Sequence, residues 1–160
     1  MTRTSDHRMT PRPLVEVASS YLGGIDTDPC WHPGSYVEAT TRYDGSCAAQ
    51  DGLAQPWRGA VYLNPPYSDP MPWAARASAY EGGPWAMLIK HDHTTAWWRV
   101  ATRGASHLVL LSRRVRFPLP SGEEDGSANF PASVILRPGA YVDRVCLDAW
   151  RPWGRVLALE

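Results

Sequence analysis

Apolar positions change their period along this chain, and each change marks an element. Leu14, Ala18, Tyr21 and Leu22 recur at helical spacing between Thr10-Pro11 and Gly23-Gly24. That pattern predicts a helix with Thr10 as N-cap, proline at its first position and glycine as its stop. Ile25-Asp26-Thr27-Asp28 reads as a short strand ending in a carboxylate, closed by Pro29. Between Trp31 and Trp57 the pattern is weak, and it predicts only a short helix around residues 35–39 and a strand over residues 40–43. The apolar run Ala60-Val61-Tyr62-Leu63 predicts a buried strand that leads straight into Asn64-Pro65-Pro66-Tyr67-Ser68. Two successive prolines cannot continue a central strand, so the chain must leave the sheet there. A helix over residues 72–80, a strand over 85–89, a helix from a Thr94 or Thr95 cap to Arg103 and a strand over 107–112 follow.

This alternation implies an α/β fold built on a mostly parallel sheet. Residues 115–119 and 132–136 then read as strands flanking the loop Ser-Gly-Glu-Glu-Asp-Gly, an antiparallel C-terminal pair that closes the sheet. Residues 141–160 fit a last strand or a docked tail. Residues 1–9 are polar and aperiodic, so the expectation is a flexible N-terminus followed by one domain over 10–160.

Composition narrows the class. A chain of 160 residues, 44% hydrophobic and 20% charged, has the make-up of one ordinary globular domain. No apolar run is long enough for a membrane span, and the first residues lack the core of a secretory signal, so a cytoplasmic protein is expected. Three cysteines, Cys30, Cys47 and Cys146, cannot all pair in one chain and are expected to be reduced thiols. The formal net charge of zero excludes simple whole-protein attraction to nucleic acid but leaves room for a local patch. Lys90 is the only lysine, and an arginine-only bias suits phosphate binding as well as GC-rich coding.

The candidate chemistry sits where the strand of residues 60–63 ends, since ligands of α/β sheets collect at the carboxyl ends of strands. An amino group conjugated to an aromatic ring is a poor nucleophile, because its lone pair is delocalised. Two acceptors against its hydrogens expose that lone pair, and the Asn64 amide oxygen with the Pro65 carbonyl can be those acceptors. Pro65 and Pro66 hold the carbonyl outward through their fixed dihedrals. Tyr67 offers a face on which a base taken out of a duplex can stack. Methyl transfer to such a nitrogen is mainly a positioning task. The loop alone leaves adenine, cytosine N4, an RNA base and a glutamine amide open.

The ordered pieces around this loop carry a resemblance. They begin with Thr10-Pro11, Asp26-Thr27-Asp28-Pro29-Cys30, and Asp51-Gly52-Leu53 with Trp57. The run Gly59 to Ser68, Trp73, Leu88-Ile89 and residues 92–98 come next. Ser112-Arg113-Arg114-Val115-Arg116-Phe117 and Phe130-Pro131-Ala132-Ser133 complete the set. In this order and spacing, over about residues 10–138, the chain resembles the small bacteriophage-type (Dam-like) DNA N6-adenine methyltransferases. The resemblance implies a single compact Rossmann-like class I methyltransferase domain, S-adenosylmethionine as cofactor, and a flipped adenine of DNA as substrate. It implies that Asn64, Pro65, Pro66 and Tyr67 form the catalytic loop. Thr10, Pro11, Asp26, Asp28, Asp51 and Asn64 would lie around the cofactor. The chain departs from many methyltransferases in having Asp-Pro-Cys-Trp-His-Pro-Gly where a Gly-x-Gly loop is common, with Trp31 at a position expected to be small. There is little room for a separate recognition domain, so a homodimer is one way to complete the DNA site.

Other residues are candidates by position. His91 and Asp92 end the strand after the catalytic one and can hold base or cofactor together with Thr94 or Thr95. Ser68 and Tyr67 follow the catalytic asparagine closely enough to touch substrate. Arg113, Arg114 and Arg116 can form a phosphate-binding face, which positions a duplex without reading it. His91 and His93, joined by Cys30 or His32, invite a metal-dependent hydrolase or deaminase reading. No second pair shows ligand-like spacing, so no metal is expected. A binder that keeps the fold without catalysis is the remaining rival.

Overall fold

A computed structural model of the chain describes residues 6, 8–139 and 144–160. Its first helix, α1 (Arg12–Leu22), buries Leu14, Val15, Ala18, Tyr21 and Leu22 on one face. Pro11, not Thr10, is its N-cap residue, and Pro13 lies in its first turn. Thr10 sits one position too early to cap, and its hydroxyl bonds instead to the Tyr62 hydroxyl at 2.7 Å. Gly23 ends the helix at φ +72°, a left-handed conformation that suits glycine.

Seven strands then form one sheet in the order β2-β1-β3-β4-β8-β5-β9. The strands β1 (Ile25–Asp28), β2 (Ala39–Arg42), β3 (Val61–Leu63) and β4 (Trp85–Lys90) are mutually parallel. The helices α2 (Met71–Ala79) and α3 (Ala96–Arg103) connect β3 to β4 and β4 to β5 (His107–Leu111). Beyond β5 come β6 (Arg116–Pro118), β7 (Glu124–Ser127), β8 (Ala132–Arg137), α4 (Arg144–Asp148) and β9 (Gly154–Ala158).

The antiparallel part differs from the expected terminal pair. β8 lies between β4 and β5 and runs antiparallel to both, while β9 adds outside β5. β6 pairs with β7 as a separate two-stranded ribbon, so part of the expected acidic loop is a strand. The physical reason is burial: Ala132 to Leu136 are all buried, and a strand covered on both faces belongs inside a sheet. The short helix expected around residues 35–39 is absent. Ser35 Oγ accepts the Val37 N–H at 3.1 Å, and Ala39 is already paired with Ile25 in the sheet.

Alternate residues of the central strands feed two cores. Tyr62, Ala86, Leu88, Val134 and Leu136 face α1, Tyr21 and Trp150. Val61, Leu63, Trp85, Met87 and Ile135 face α2 and α3 through Ala74, Ala77, Trp98 and Ala101. A side-chain period of two within each strand is what sorts them. Because β1, β3, β4 and β5 share a direction, their carboxyl ends form one edge of the sheet, and the loops on that edge carry the candidate chemistry.

Candidate active site

β3 delivers Asn64 to that edge. Val61, Tyr62 and Leu63 are buried, and Pro65 stays buried while Asn64, Pro66 and Tyr67 are half-exposed. Asn64 and Pro66 line a cavity of about 280 Å³ with Pro29, Trp31, Tyr43, Asp44, Asp51 and Trp73. A smaller recess adjoins it, lined by Thr10, Asp28, Ser35, Val37 and Tyr62. Asp6, Cys30, His32 and Asn64 line both spaces. The motif loop and the β1 loop, remote in sequence, therefore share one site.

Asp28, the last residue of β1, is 3% exposed. Its Oδ1 accepts the Cys30 N–H at 2.9 Å. Burial pushes its carboxyl up to about 7, against the opposing pull of the Cys30 hydrogen bond and of Arg42. Arg42 acts on this carboxyl from outside the two spaces, and sequence reasoning misses it. Parallel pairing sets it opposite Asp28, and its guanidinium lies 5.4 Å from the centre of the Trp31 ring. The signal for it is the position of β2, which the weak pattern of residues 31–57 obscures. The Cys30 thiol is raised by burial and by Asp28, so it is a poor nucleophile.

Trp31 stands where a small residue was expected, and it forms a cavity wall. Its backbone N–H donates to the Tyr43 carbonyl at 3.0 Å, while its indole Nε1 is buried with no partner among the described residues. The close backbone approach that a Gly-x-Gly loop would allow occurs at Gly52. A Cβ there would meet the Pro29 carbonyl oxygen at 1.9 Å, so only glycine lets the two loops close on each other. Asp51 precedes it, and its Oδ1 accepts the Leu53 N–H at 2.9 Å. The Gly52 carbonyl accepts the Trp57 indole N–H at 2.7 Å. Arg76 of α2 donates to the Leu53 and Gln55 carbonyls and lies 4.9 Å over the Trp57 ring, which fixes the loop that carries Asp51.

Of the predicted site residues, Asn64, Pro66, Thr10, Asp28 and Asp51 are thus brought together. Pro65 is buried beside them, and Pro11 lies on the flank of a separate cavity. Asp26 points elsewhere: its Oδ2 accepts the Ala60 N–H at 2.7 Å, before β3 begins. Tyr67 does not line the 280 Å³ cavity. Its ring packs edge-on against Phe117 and Phe130, at 5.9 and 5.4 Å between centres. Its hydroxyl is buried without a partner among the described residues, and burial raises it far above an ordinary phenol. Ser68 donates its N–H and hydroxyl to the Asp6 carboxylate, at 3.2 and 2.8 Å.

His91 and Asp92 lie outside the two spaces. His91 Nδ1 is bonded to Ser133 Oγ at 2.8 Å, and its ring meets Trp98 at 4.7 Å. Burial and the neighbouring His93 lower its basicity. Asp92 accepts the Thr94 hydroxyl at 2.9 Å and pairs with Lys90 at 3.8 Å. Among the described residues no group of three or more histidine, cysteine or acidic side chains is placed to hold a metal ion. Arg113, Arg114 and Arg116 line the larger cavity, about 770 Å³, with Pro11, Leu14 and Trp153. It opens just past the carboxyl end of β5. No helix among the described residues is long and apolar enough to cross a membrane.

Known proteins match this chain over most of its length. A family model described as DNA N-6-adenine-methyltransferase (Dam) matches residues 2–144. The DNA N-6-adenine-methyltransferase of Haemophilus phage HP1 (strain HP1c1) is 32% identical over 146 residues, spanning 84% of this chain and 81% of that relative. The family match runs from ahead of α1 to the start of α4 and takes in every strand that supplies a loop to the site. The chain therefore belongs to the DNA N-6-adenine-methyltransferase (Dam) family.

Proposed function

We propose that this chain is a Rossmann-like class I methyltransferase that moves the methyl group of S-adenosylmethionine to N6 of adenine in DNA, through the loop from Asn64 to Tyr67. The observation that carries this reading is the shared cavity: Asn64 and Pro66 line the same space as Asp51 and Trp31, next to the recess of Asp28. Four parallel strands followed by an antiparallel strand between β4 and β5 agree with the fold.

The lining fits the cofactor. Aromatic walls at Trp31, Tyr43 and Trp73 suit an adenine ring and an apolar chain, and the carboxylates of Asp28 and Asp51 suit an ammonium and ribose hydroxyls. The unpartnered Trp31 Nε1 is a buried donor that a ligand acceptor can satisfy. When bound, S-adenosylmethionine supplies a methyl group on a positively charged sulfur, so an acidic lining also suits its charge.

The protein's part is to hold the acceptor nitrogen. The Asn64 amide oxygen and the Pro65 carbonyl would accept hydrogen bonds from the two N6 hydrogens and turn the lone pair toward the methyl group. As the N–C bond forms the S–C bond breaks, the cofactor leaves as the neutral thioether, and the nitrogen gives up one proton to solvent. A paired adenine cannot reach a recessed loop of this kind, so the base must leave the stack. Tyr67, held edge-on by Phe117 and Phe130, anchors the end of this loop and does not offer its ring to the cavity. Arg113, Arg114 and Arg116 hold the backbone phosphates at the neighbouring cavity.

The test is incubation of unmethylated DNA with the protein and S-adenosylmethionine, followed by digestion and mass spectrometry of the nucleosides. N6-methyladenine is expected from the wild type. Asn64→Ala should lose about 100-fold in rate, the scale of removing a preorganised polar group at a reacting centre. N4-methylcytosine, or no methylated base, would refute the assignment.

A further inference from the structure

An asparagine in the role of Asn64 has a difficulty that a carboxylate lacks. Its two ends are nearly the same shape, and only the oxygen can accept a hydrogen from the target amine. Turned over, the side chain presents N–H donors to N–H donors, and the loop repels its substrate. Something must fix the amide.

In this chain the Asn64 Nδ2 donates to the main-chain carbonyl of Arg8 at 2.8 Å. We infer that the Arg8 carbonyl is a positioning group for methyl transfer: by taking the amide N–H, it leaves the Asn64 oxygen for the adenine amino group. This rests on the proposed role of Asn64. It extends that role to the N-terminal residues, whose polar pattern suggests only a flexible lead.

The Arg8 carbonyl is held in place from several directions. Met9 is 5% exposed, and its N–H donates to the Pro118 carbonyl at 3.0 Å. The Arg8 guanidinium lies 5.4 Å from the centre of the Phe130 ring and 5.9 Å from that of Phe117. Those are the rings against which Tyr67 packs. At the far end of the loop, Ser68 N–H and Oγ–H bind the Asp6 carboxylate. Asn64, Tyr67 and Ser68 are therefore each tied, directly or through shared rings, to Asp6 and Arg8. The acceptor carbonyl and the loop it orients move as one unit.

Side-chain changes can loosen this arrangement without touching Asn64. Arg8→Ala removes the guanidinium from the rings and keeps the carbonyl, and Asp6→Ala frees Ser68. With DNA and cofactor both saturating, each change should lower kcat by roughly threefold to tenfold, the scale of one ordinary hydrogen bond. Asp6→Asn, which keeps an acceptor for Ser68, should recover most of the loss. The same pair of changes made in Asn64→Asp gives the readout that separates orientation from folding. A carboxylate has an oxygen at either end, so loosening Arg8 should then leave kcat unchanged or raise it. Equal losses in both backgrounds would mean that Asp6 and Arg8 only support the fold. A rise in kcat with Asn64 intact would mean that they cover the site instead of completing it. Either result overturns the inference. Failure of the unaltered chain to make N6-methyladenine is a different failure, that of the activity itself.

Discussion

Acid should weaken cofactor binding through one carboxyl group. Asp28 is 3% exposed, and its folded value of about 7 lies above the ordinary 3.8 because burial outweighs the help of the Cys30 N–H and Arg42. The free site therefore holds Asp28 largely protonated at pH 6 and largely ionised at pH 8, with about one-tenth and about nine-tenths of the charge respectively. A cationic group of the cofactor favours the ionised form, so binding near neutrality releases a proton, about half a proton at pH 7. Between pH 6 and 8 the dissociation constant should fall about tenfold, equal to about 1.4 kcal/mol. The sign for stability is the reverse. A folded value raised above the unfolded one gives stability that is full below about pH 3.8 and is lost as pH climbs through about 7. Titration calorimetry with S-adenosylmethionine, in buffers of different ionisation enthalpy, reads both affinity and proton release. Asp28→Asn should flatten the profile, and any slope that survives in the variant belongs to the cofactor's own amine. A wild-type affinity that does not change between pH 6 and 8, or a variant with the same slope, would refute the argument.

Three further outcomes rest on particular residues. Gly52→Ala drives a Cβ against the Pro29 carbonyl and should cost about 1–3 kcal/mol, with Tm falling by about 2–4 °C per kcal/mol; weaker cofactor binding should accompany it, and an unchanged melt would count against the closeness of the two loops. Tyr67→Phe removes a buried hydroxyl that has no partner among the described residues, so activity should persist and stability should hold or rise by about 1 kcal/mol; a large loss of activity would assign the hydroxyl a chemical role. Arg113→Ala with Arg114→Ala should leave cofactor affinity intact and make the plot of log DNA affinity against log salt shallower by about 0.9 for each phosphate that is no longer neutralised; an unaltered slope would place the DNA elsewhere.

The middle of the parallel half is legible in the sequence because β3 and β4 are apolar runs and the helices beside them have clear stops, whereas β1 and β2 carry mostly polar residues. Val61 to Leu63 and Trp85 to Ile89 read as buried strands, and both are buried on every residue. The antiparallel half misleads at one place. Residues 132–136 are apolar except for the buried Ser133, which fits an inner strand, yet their position near the end of the chain suggests an outer pair. Chain order does not give sheet order once a hairpin such as β6–β7 intervenes. The site divides in the same way. Asn64 and Asp28 announce themselves as polar residues at the ends of strands. Trp31, Arg42 and Gly52 do not, because their roles depend on the β1–β2 register and on the approach of two loops far apart in sequence. Thr10 looks like a helix cap by type and spacing, and what it bonds is a tyrosine of β3, a long-range partner that no local pattern contains.

Sharing one edge of the sheet is how a chain of this size can carry so much chemistry. β1 ends at Asp28, Asn64 follows β3, the arginines follow β5, and all three strands point the same way. The cavity that Asn64 lines and the larger one that the arginines line are therefore both reached from loops of that edge. The aromatic group of Tyr67, Phe117 and Phe130 ties the catalytic loop to the β6 side of that edge. Its members come from the loop after β3, from β6 and from the segment before β8, so the β6–β7 ribbon packs on that loop through rings that lie outside the sheet. On the proposed role of Asn64, truncating Phe130 removes one of the two rings that hold Tyr67, and it should lower methyl transfer more than it lowers DNA affinity.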